Sequence, residues 1–339
     1  MPHRPAIASM SLGQACVHNL SQKLDQAQKY GFKGIELFYE DLETYAIINE
    51  GGNAPQDLIE AARSIRQLCD NREITIIGLQ PFMHYEGLWD RDEHARRIEQ
   101  LKLWFHLAKI LGTNLIQIAS GFLGESELNG DLNVIVNDLR EAAELGMMEE
   151  PAINLSYESL AWGTYSDTWE HSWTIVEQVG MPNFGICLDT FNIAARVYAD
   201  PTTRTGRTPN AEADIKASIK RLVQTVDVSK IFFVQLVDAE RLSIPLIQGH
   251  EFFVEGQPAR MSWSRNCRLF YGEQEFGAYL PIRDIAHAIL KELGYQGWVS
   301  AELFNRLMSS PDQNVPEQLA RRGALSWKKL VNDLDLQVV

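Results

Sequence analysis

The sequence predicts one (β/α)₈ barrel over residues 1–339, with long loops after the sixth and seventh strands and a C-terminal helix near 315–335. Three observations predict it. Strand-like and helix-like segments alternate along the whole chain. Four apolar runs finish on an oxygen-bearing side chain: Ile153-Asn-Leu-Ser-Tyr-Glu158, Phe184-Gly-Ile-Cys-Leu-Asp189, Ile231-Phe-Phe-Val-Gln235 and Trp298-Val-Ser-Ala-Glu302. The doubly wound open sheet, the competing architecture, has a glycine-rich phosphate turn after its first strand, and here Ser9-Met-Ser-Leu-Gly13 stands in that place.

Strand-like runs lie near 5–10, 34–38, 73–79, 114–119, 152–158, 184–189, 231–236 and 297–302. Helical patterns fall near 20–30, 55–70, 91–111, 131–149, 167–179, 212–227, 281–293 and 315–335. Asn19 or Ser21 can cap the first helix, which stops at Tyr30-Gly31. Asp90 or Asp92 can cap the 91–111 helix, which closes at Gly112. Lys29-Tyr-Gly-Phe-Lys-Gly-Ile-Glu-Leu37 and Glu292-Leu-Gly-Tyr-Gln-Gly-Trp-Val-Ser300 share one form: helix, Gly stop, aromatic, Gly, strand. Glycine supplies the positive φ that such a turn needs. The Thr190–Asn210 and Val237–Leu280 connections exceed the ~2–6 residues usual in α/β units. Both follow strand C-termini, so both belong to the face where such barrels carry their sites. The first includes the polar stretch Thr202-Thr-Arg-Thr-Gly-Arg-Thr-Pro-Asn210.

Composition narrows the function classes. Hydrophobic residues make up 45% and charged residues 22%, enough for a large core. A net charge of −14 argues against a nucleic-acid backbone as partner, because that binding needs clustered Lys and Arg. No run approaches the ~18 apolar residues of a membrane span, and the first residues lack a signal-peptide core. Cys16, Cys69, Cys187 and Cys267 show no metal-type or redox spacing, which fits a reducing cytoplasm.

Buried strands do not end on unpaired charges, since each would cost several kcal/mol. Four such ends in one barrel converge on a shared partner, and Glu158, Asp189, Gln235 and Glu302 offer oxygen only. That donor set suits Mg²⁺, Mn²⁺ or a similar hard divalent ion. His84, just past the third strand, is either a general acid or base or a loop histidine held by a carbonyl. His250 in the seventh loop is the other histidine placed to turn inward. Arg260, Arg265 and Arg268 flank Ser264 in the seventh loop, where a planar guanidinium can grip a substrate carboxylate or hold the loop on acidic helices. Glu36 can meet a substrate hydroxyl or a loop arginine; Phe38, Trp162 and Phe304 are candidate pocket walls.

Several phrases together resemble the xylose-isomerase-like family of metal-dependent isomerases, epimerases and lyases, and within it the fungal-type 3-dehydroshikimate dehydratases. They are Gly34-Ile-Glu-Leu-Phe38, Leu79-Gln-Pro-Phe82, Tyr157-Glu158-Ser-Leu-Ala-Trp162-Gly163, Leu188-Asp-Thr-Phe-Asn-Ile-Ala194 and Pro258-Ala-Arg-Met-Ser-Trp-Ser-Arg-Asn-Cys-Arg-Leu-Phe270. The resemblance implies one divalent ion, Mg²⁺, Mn²⁺ or Co²⁺, on Glu158, Asp189, Gln235 and Glu302. It implies loss of water from 3-dehydroshikimate through a metal-stabilised enolate, with His84, Glu158 or Glu302 carrying protons. Ser264 with Arg265 or Arg268 would anchor the carboxylate. Asn192 stands where many bacterial relatives carry His, and Met83 and Tyr165 are further departures from their pattern. The expected partner is a small anionic substrate rather than nucleic acid or membrane, and a homo-oligomer is left open. An isomerase or epimerase of a sugar or cyclic polyol would use the same ion without losing water. A nuclease of the endonuclease IV kind would want a His-rich zinc site and a basic face. A silent barrel acting as a sensor would lack a working ligand set.

Overall fold

The computed structural model describes residues 2–338; the two end residues of the predicted 1–339 domain lie outside them. Eight parallel strands close into a barrel: β1 Arg4–Ala8, β2 Gly34–Phe38, β3 Thr75–Phe82, β4 Leu115–Ala119, β5 Asn154–Glu158, β6 Phe184–Asp189, β7 Ile231–Gln235 and β8 Trp298–Ala301. Each of the eight predicted runs overlaps one of them; β1 begins one residue before its run, and β3 extends three residues past its run. The barrel shuts where β8 pairs with both β1 and β7, with Ile7 opposite Ala301 and Gln235 opposite Ser300. Among the described residues no helix is long and apolar enough to cross a membrane.

Helices alternate with the strands: α1 Leu20–Lys29, α2 Tyr39–Asn49, α3 Pro55–Asp70, α4 Arg91–Leu111, α5 Leu132–Met147, α6 Trp169–Val179, α7 Thr190–Val197, α8 Ala211–Thr225, α9 Ala259–Cys267, α10 Ile282–His287 and α11 Val315–Leu334. Asn19 caps α1 by accepting the Ser21 N–H, and Asp90 caps α4 through the Asp92 and Glu93 N–H groups. Gly112 ends α4 in the left-handed region at φ 75°, and the matching Gly31 and Gly294 turns stand at 86° and 74°. The predicted 281–293 helix is divided: α10 gives way to a π-helical turn over Ala288–Glu292. Helix α11 packs on α1 and α10 and completes the outer ring.

Three helices had no clear signal in the sequence. Helix α2 follows β2 directly, and α7 fills the start of the long sixth connection. Helix α9 sits in the seventh connection beside a two-stranded ribbon that pairs Asp238 with Leu269 and Ala239 with Arg268. They are short, and α7 begins at Asp189, whose side chain accepts the Phe191 N–H. A strand-end carboxylate thus also serves as a helix cap.

The strand repeat of two sets the interior. Leu115, Cys187 and Phe233 form a small apolar cluster separate from the main core. Two residues further along the same strands come Gln117, Asp189 and Gln235, so the next interior layer is polar.

Outside the barrel, α1 and α2 are joined by Lys23 and Asp41 at 2.6 Å, with side-chain exposures of 0% and 1%. Removing one member leaves the other buried and uncompensated. Asp41→Ala is expected to cost about 3–5 kcal/mol of unfolding free energy. Lys23→Met with Asp41→Leu should recover most of it. Urea denaturation of the three proteins checks this, and a wild-type midpoint for Asp41→Ala would refute it.

Candidate active site

The C-terminal ends of the strands surround a cavity of ≈ 400 Å³ lined by residues that include Phe38, Gln80, Gln117, Glu158, Trp162, Ser264, Arg265, Arg268, Glu302 and Phe304. Carboxylate oxygens of Glu158, Asp189 and Glu302 lie within 4.8 Å of one another, all on buried residues. Strand pairing sets Asp189 opposite Gln235 and Ala119 opposite Glu158.

Each acid is held by directed donors. Asn192 Nδ2 donates to Glu158 Oε1 and to Asp189 Oδ2, both at 2.8 Å, while its own oxygen accepts the Ala161 N–H at 3.0 Å. Gln117 Nε2 donates to Glu158 Oε2. Arg268, 1% exposed, puts Nη1 at 2.9 Å from Asp189 Oδ2 and 3.0 Å from Glu302 Oε2. Its Nε donates to Ser264 Oγ, and its guanidinium lies over the Phe191 and Phe304 rings. One layer inward, Glu36 Oε2 accepts from Gln80 Nε2 at 2.6 Å and from Gln235 Nε2 at 2.8 Å. The Gln235 oxygen accepts from the Cys187 thiol.

The charges do not balance. Three clustered carboxylates, with Glu36 beside them, face one guanidinium. Burial, then the charges of Glu302 and Asp189, drive Glu158 well above the usual carboxylate range. Burial, then Glu302, lifts Glu36 to about 8. Glu302 rises to about 7, burial outweighing the pull of Arg268. The protein thus concentrates oxygen donors in one buried place where the acids resist ionising alone, and such a site fits a divalent cation.

The other expected residues fall in different places. Phe38 and Phe304 meet edge-to-face at 5.7 Å in the cavity wall. Arg265 lines the rim and donates to Gln257. Arg260 is absent from the lining: it donates to the Ala195 and Ala199 carbonyls and pins α9 to α7. His84 is also absent from the lining; its ring packs on Phe122 at 4.4 Å. His250 accepts the Phe252 N–H within its own loop. Two residues not singled out in the sequence, Gln80 and Gln117, are part of the site. Gln117 had a readable signal, a carboxamide inside the apolar strand Leu115-Ile-Gln-Ile-Ala119.

The barrel has known relatives. A family model described as "Xylose isomerase-like TIM barrel" matches residues 24–330. A 3-dehydroshikimate dehydratase of Neurospora crassa is 54% identical over 345 residues, covering 100% of this chain and 96% of that protein. A 3-dehydroshikimate dehydratase of Pseudomonas putida is 29% identical, covering 88% of this chain and 38% of that longer protein. A solved "xylose isomerase-like TIM barrel/4-hydroxyphenylpyruvate dioxygenase fusion protein" matches with a TM-score of 0.73 and 27% identity, covering 98% of this chain and 43% of that one. The chain belongs to the xylose isomerase-like TIM barrel family, and within it to the group that holds the Neurospora dehydratase.

His84 gives a pH test. Burial, then the charge of Arg97, lowers its pKa to about 4. Between the ordinary value of 6.5 and 4 the unfolded chain takes up a proton that the folded chain refuses. Its contribution to stability is therefore intact above pH 6.5 and lost as the pH falls toward 4. Asn tolerates the positive φ of 55° found at His84. His84→Asn should therefore lose less stability than wild type between pH 7 and pH 5 in urea titrations. An equal loss in both proteins would contradict the assignment.

Proposed function

We infer that the chain is a hydro-lyase that removes water from 3-dehydroshikimate and yields protocatechuate. The observation that carries this reading is the buried Glu158–Asp189–Glu302 cluster at a cavity, in a chain 54% identical to the Neurospora dehydratase. In the reaction a C–H bond α to the ring ketone breaks, and the hydroxyl on the β carbon leaves as water. A second proton shift makes the ring aromatic, so the sum is substrate to product plus one water.

Glu158, Asp189 and Glu302, with Gln235, would hold a divalent ion such as Mg²⁺, Mn²⁺ or Co²⁺, which when bound supplies Lewis acidity toward the ketone oxygen. The remaining work falls to the chain. Glu302 lines the cavity, and its carboxylate is the group we assign to accept and return the proton. Asn192 and Gln117 hold both oxygens of Glu158 and fix its plane. Phe38, Trp162 and Phe304 wall the cavity, keep bulk water from the ring and strengthen every charge inside. Arg265 is the rim cation placed to meet the substrate carboxylate, because Arg268 is committed to Asp189 and Glu302. A cytoplasmic setting is part of this reading, supported by four free cysteines.

The decisive assay follows protocatechuate formation from 3-dehydroshikimate by chelator-stripped protein, before and after adding Mg²⁺, Mn²⁺ or Co²⁺. Activity should return with the ion and fall on the order of 10²–10⁴-fold in Glu302→Ala. Ion binding without product would sink the substrate assignment, and full activity in the stripped protein would sink the metal.

A further inference from the structure

We propose that His94, Asp138 and Glu141 form a second metal site, outside the barrel between α4 and α5, for a divalent transition-metal ion such as zinc. It is independent of the dehydratase reading. Asp138 and Glu141 stand three apart on α5 and so share a face toward His94 in the first turn of α4. Their ligand atoms all lie within 4.8 Å of one another, with His94 Nε2 at 3.0 Å from Glu141 Oε2 and 3.8 Å from Asp138 Oδ1.

The histidine is oriented as a ligand would be. Its Nδ1 lies 3.1 Å from the Tyr85 carbonyl, which can only accept, so Nδ1 carries a hydrogen and Nε2 faces the two carboxylates. Asp138 is oriented as well: Arg91 donates to both its oxygens and Gly87 N–H to Oδ2. That leaves a lone pair on Oδ1 toward the imidazole.

The second observation is Tyr85. Its side chain is wholly buried, its hydroxyl has no hydrogen-bond partner, and its ring lies 4.9 Å from that of His94. Burial, then the charges of Glu141 and Asp138, raise this phenol well above its ordinary value, and the buried, unpartnered donor belongs to a ring that lies against His94. A buried hydroxyl is rarely left so, and a water carried by an ion would take its hydrogen bond. The side chains of His94 and Asp138 are 4% and 6% exposed and that of Glu141 is 46%, so the ion would enter past Glu141. One imidazole with two carboxylates suits zinc, whereas the all-oxygen cluster at the barrel mouth suits a harder ion. A filled site would tie α5 to α4 and to the Tyr85–Gly87 loop, two residues beyond the cavity-lining Met83.

Zinc binding by the stripped full chain tests this, with equilibrium dialysis comparing wild type, Glu141→Gln and His94→Gln. Glu141 is half exposed, so Glu141→Gln should fold and keep the wild-type urea midpoint in the zinc-free protein. Wild type should bind one zinc more per chain than either variant, or bind it at least ~10-fold more tightly. The ¹⁵N resonances of His94 in zinc-saturated protein should show Nδ1 protonated and Nε2 metal-bound. Equal zinc uptake by all three proteins, or hydrogens on both ring nitrogens, would show a plain ion pair and overturn the site.

Discussion

The need to keep like charges together in a dry barrel mouth governs this molecule. Glu36, Glu158, Asp189 and Glu302 are all nearly inaccessible, and each repels its neighbours through a medium that screens poorly. Such a cluster survives only if the backbone cannot yield and most of its oxygens have a donor or a cation. Eight strands locked edge to edge provide the first condition. Asn192, Gln117, Gln80 and Arg268 provide much of the second. Stability is lowered at this one place so that a ligand can recover it.

The layering below the cluster has the same origin. An apolar plug of Leu115, Cys187 and Phe233 lies one strand repeat beneath Gln117, Asp189 and Gln235. Polar side chains that project inward thus rest on a dry floor, and their remaining freedom points to the cavity. The loops divide the other tasks. Helix α7 starts on a carboxylate that it also orients, and α9 brings Ser264 and Arg268 over the mouth.

Much of the fold was legible because it depends on period and punctuation. Apolar runs bounded by Gly112, Gly31 and Gly294, with caps at Asn19 and Asp90, locate strands and long helices without tertiary information. The four strand-end oxygens stood out because an apolar run makes a terminal polar residue conspicuous. Helices α2, α7 and α9 were not legible: α2 follows β2 without a break, and α7 and α9 lie inside the two long connections, α7 being fixed at its start by Asp189. Arg260 and Arg268 look alike in sequence, yet one caps carbonyls outside the cavity and the other is buried between two acids. Only the path of the seventh loop separates them. Gln117 marks the opposite case, a carboxamide whose signal lies within its apolar strand rather than at the strand end.

The seam between the last strand and the first has a consequence for how the molecule is made. Strand β8 sits between β1 and β7, so the ring of ligands stays open until Trp298–Glu302 has left the ribosome. Glu36, Glu158 and Asp189 emerge earlier, before the strand that closes the ring around them. Arg268 precedes Glu302 by 34 residues, so the last acid to arrive meets a guanidinium already synthesised. Vectorial synthesis thus postpones the burial of four acids until the cation that tempers them is in the chain.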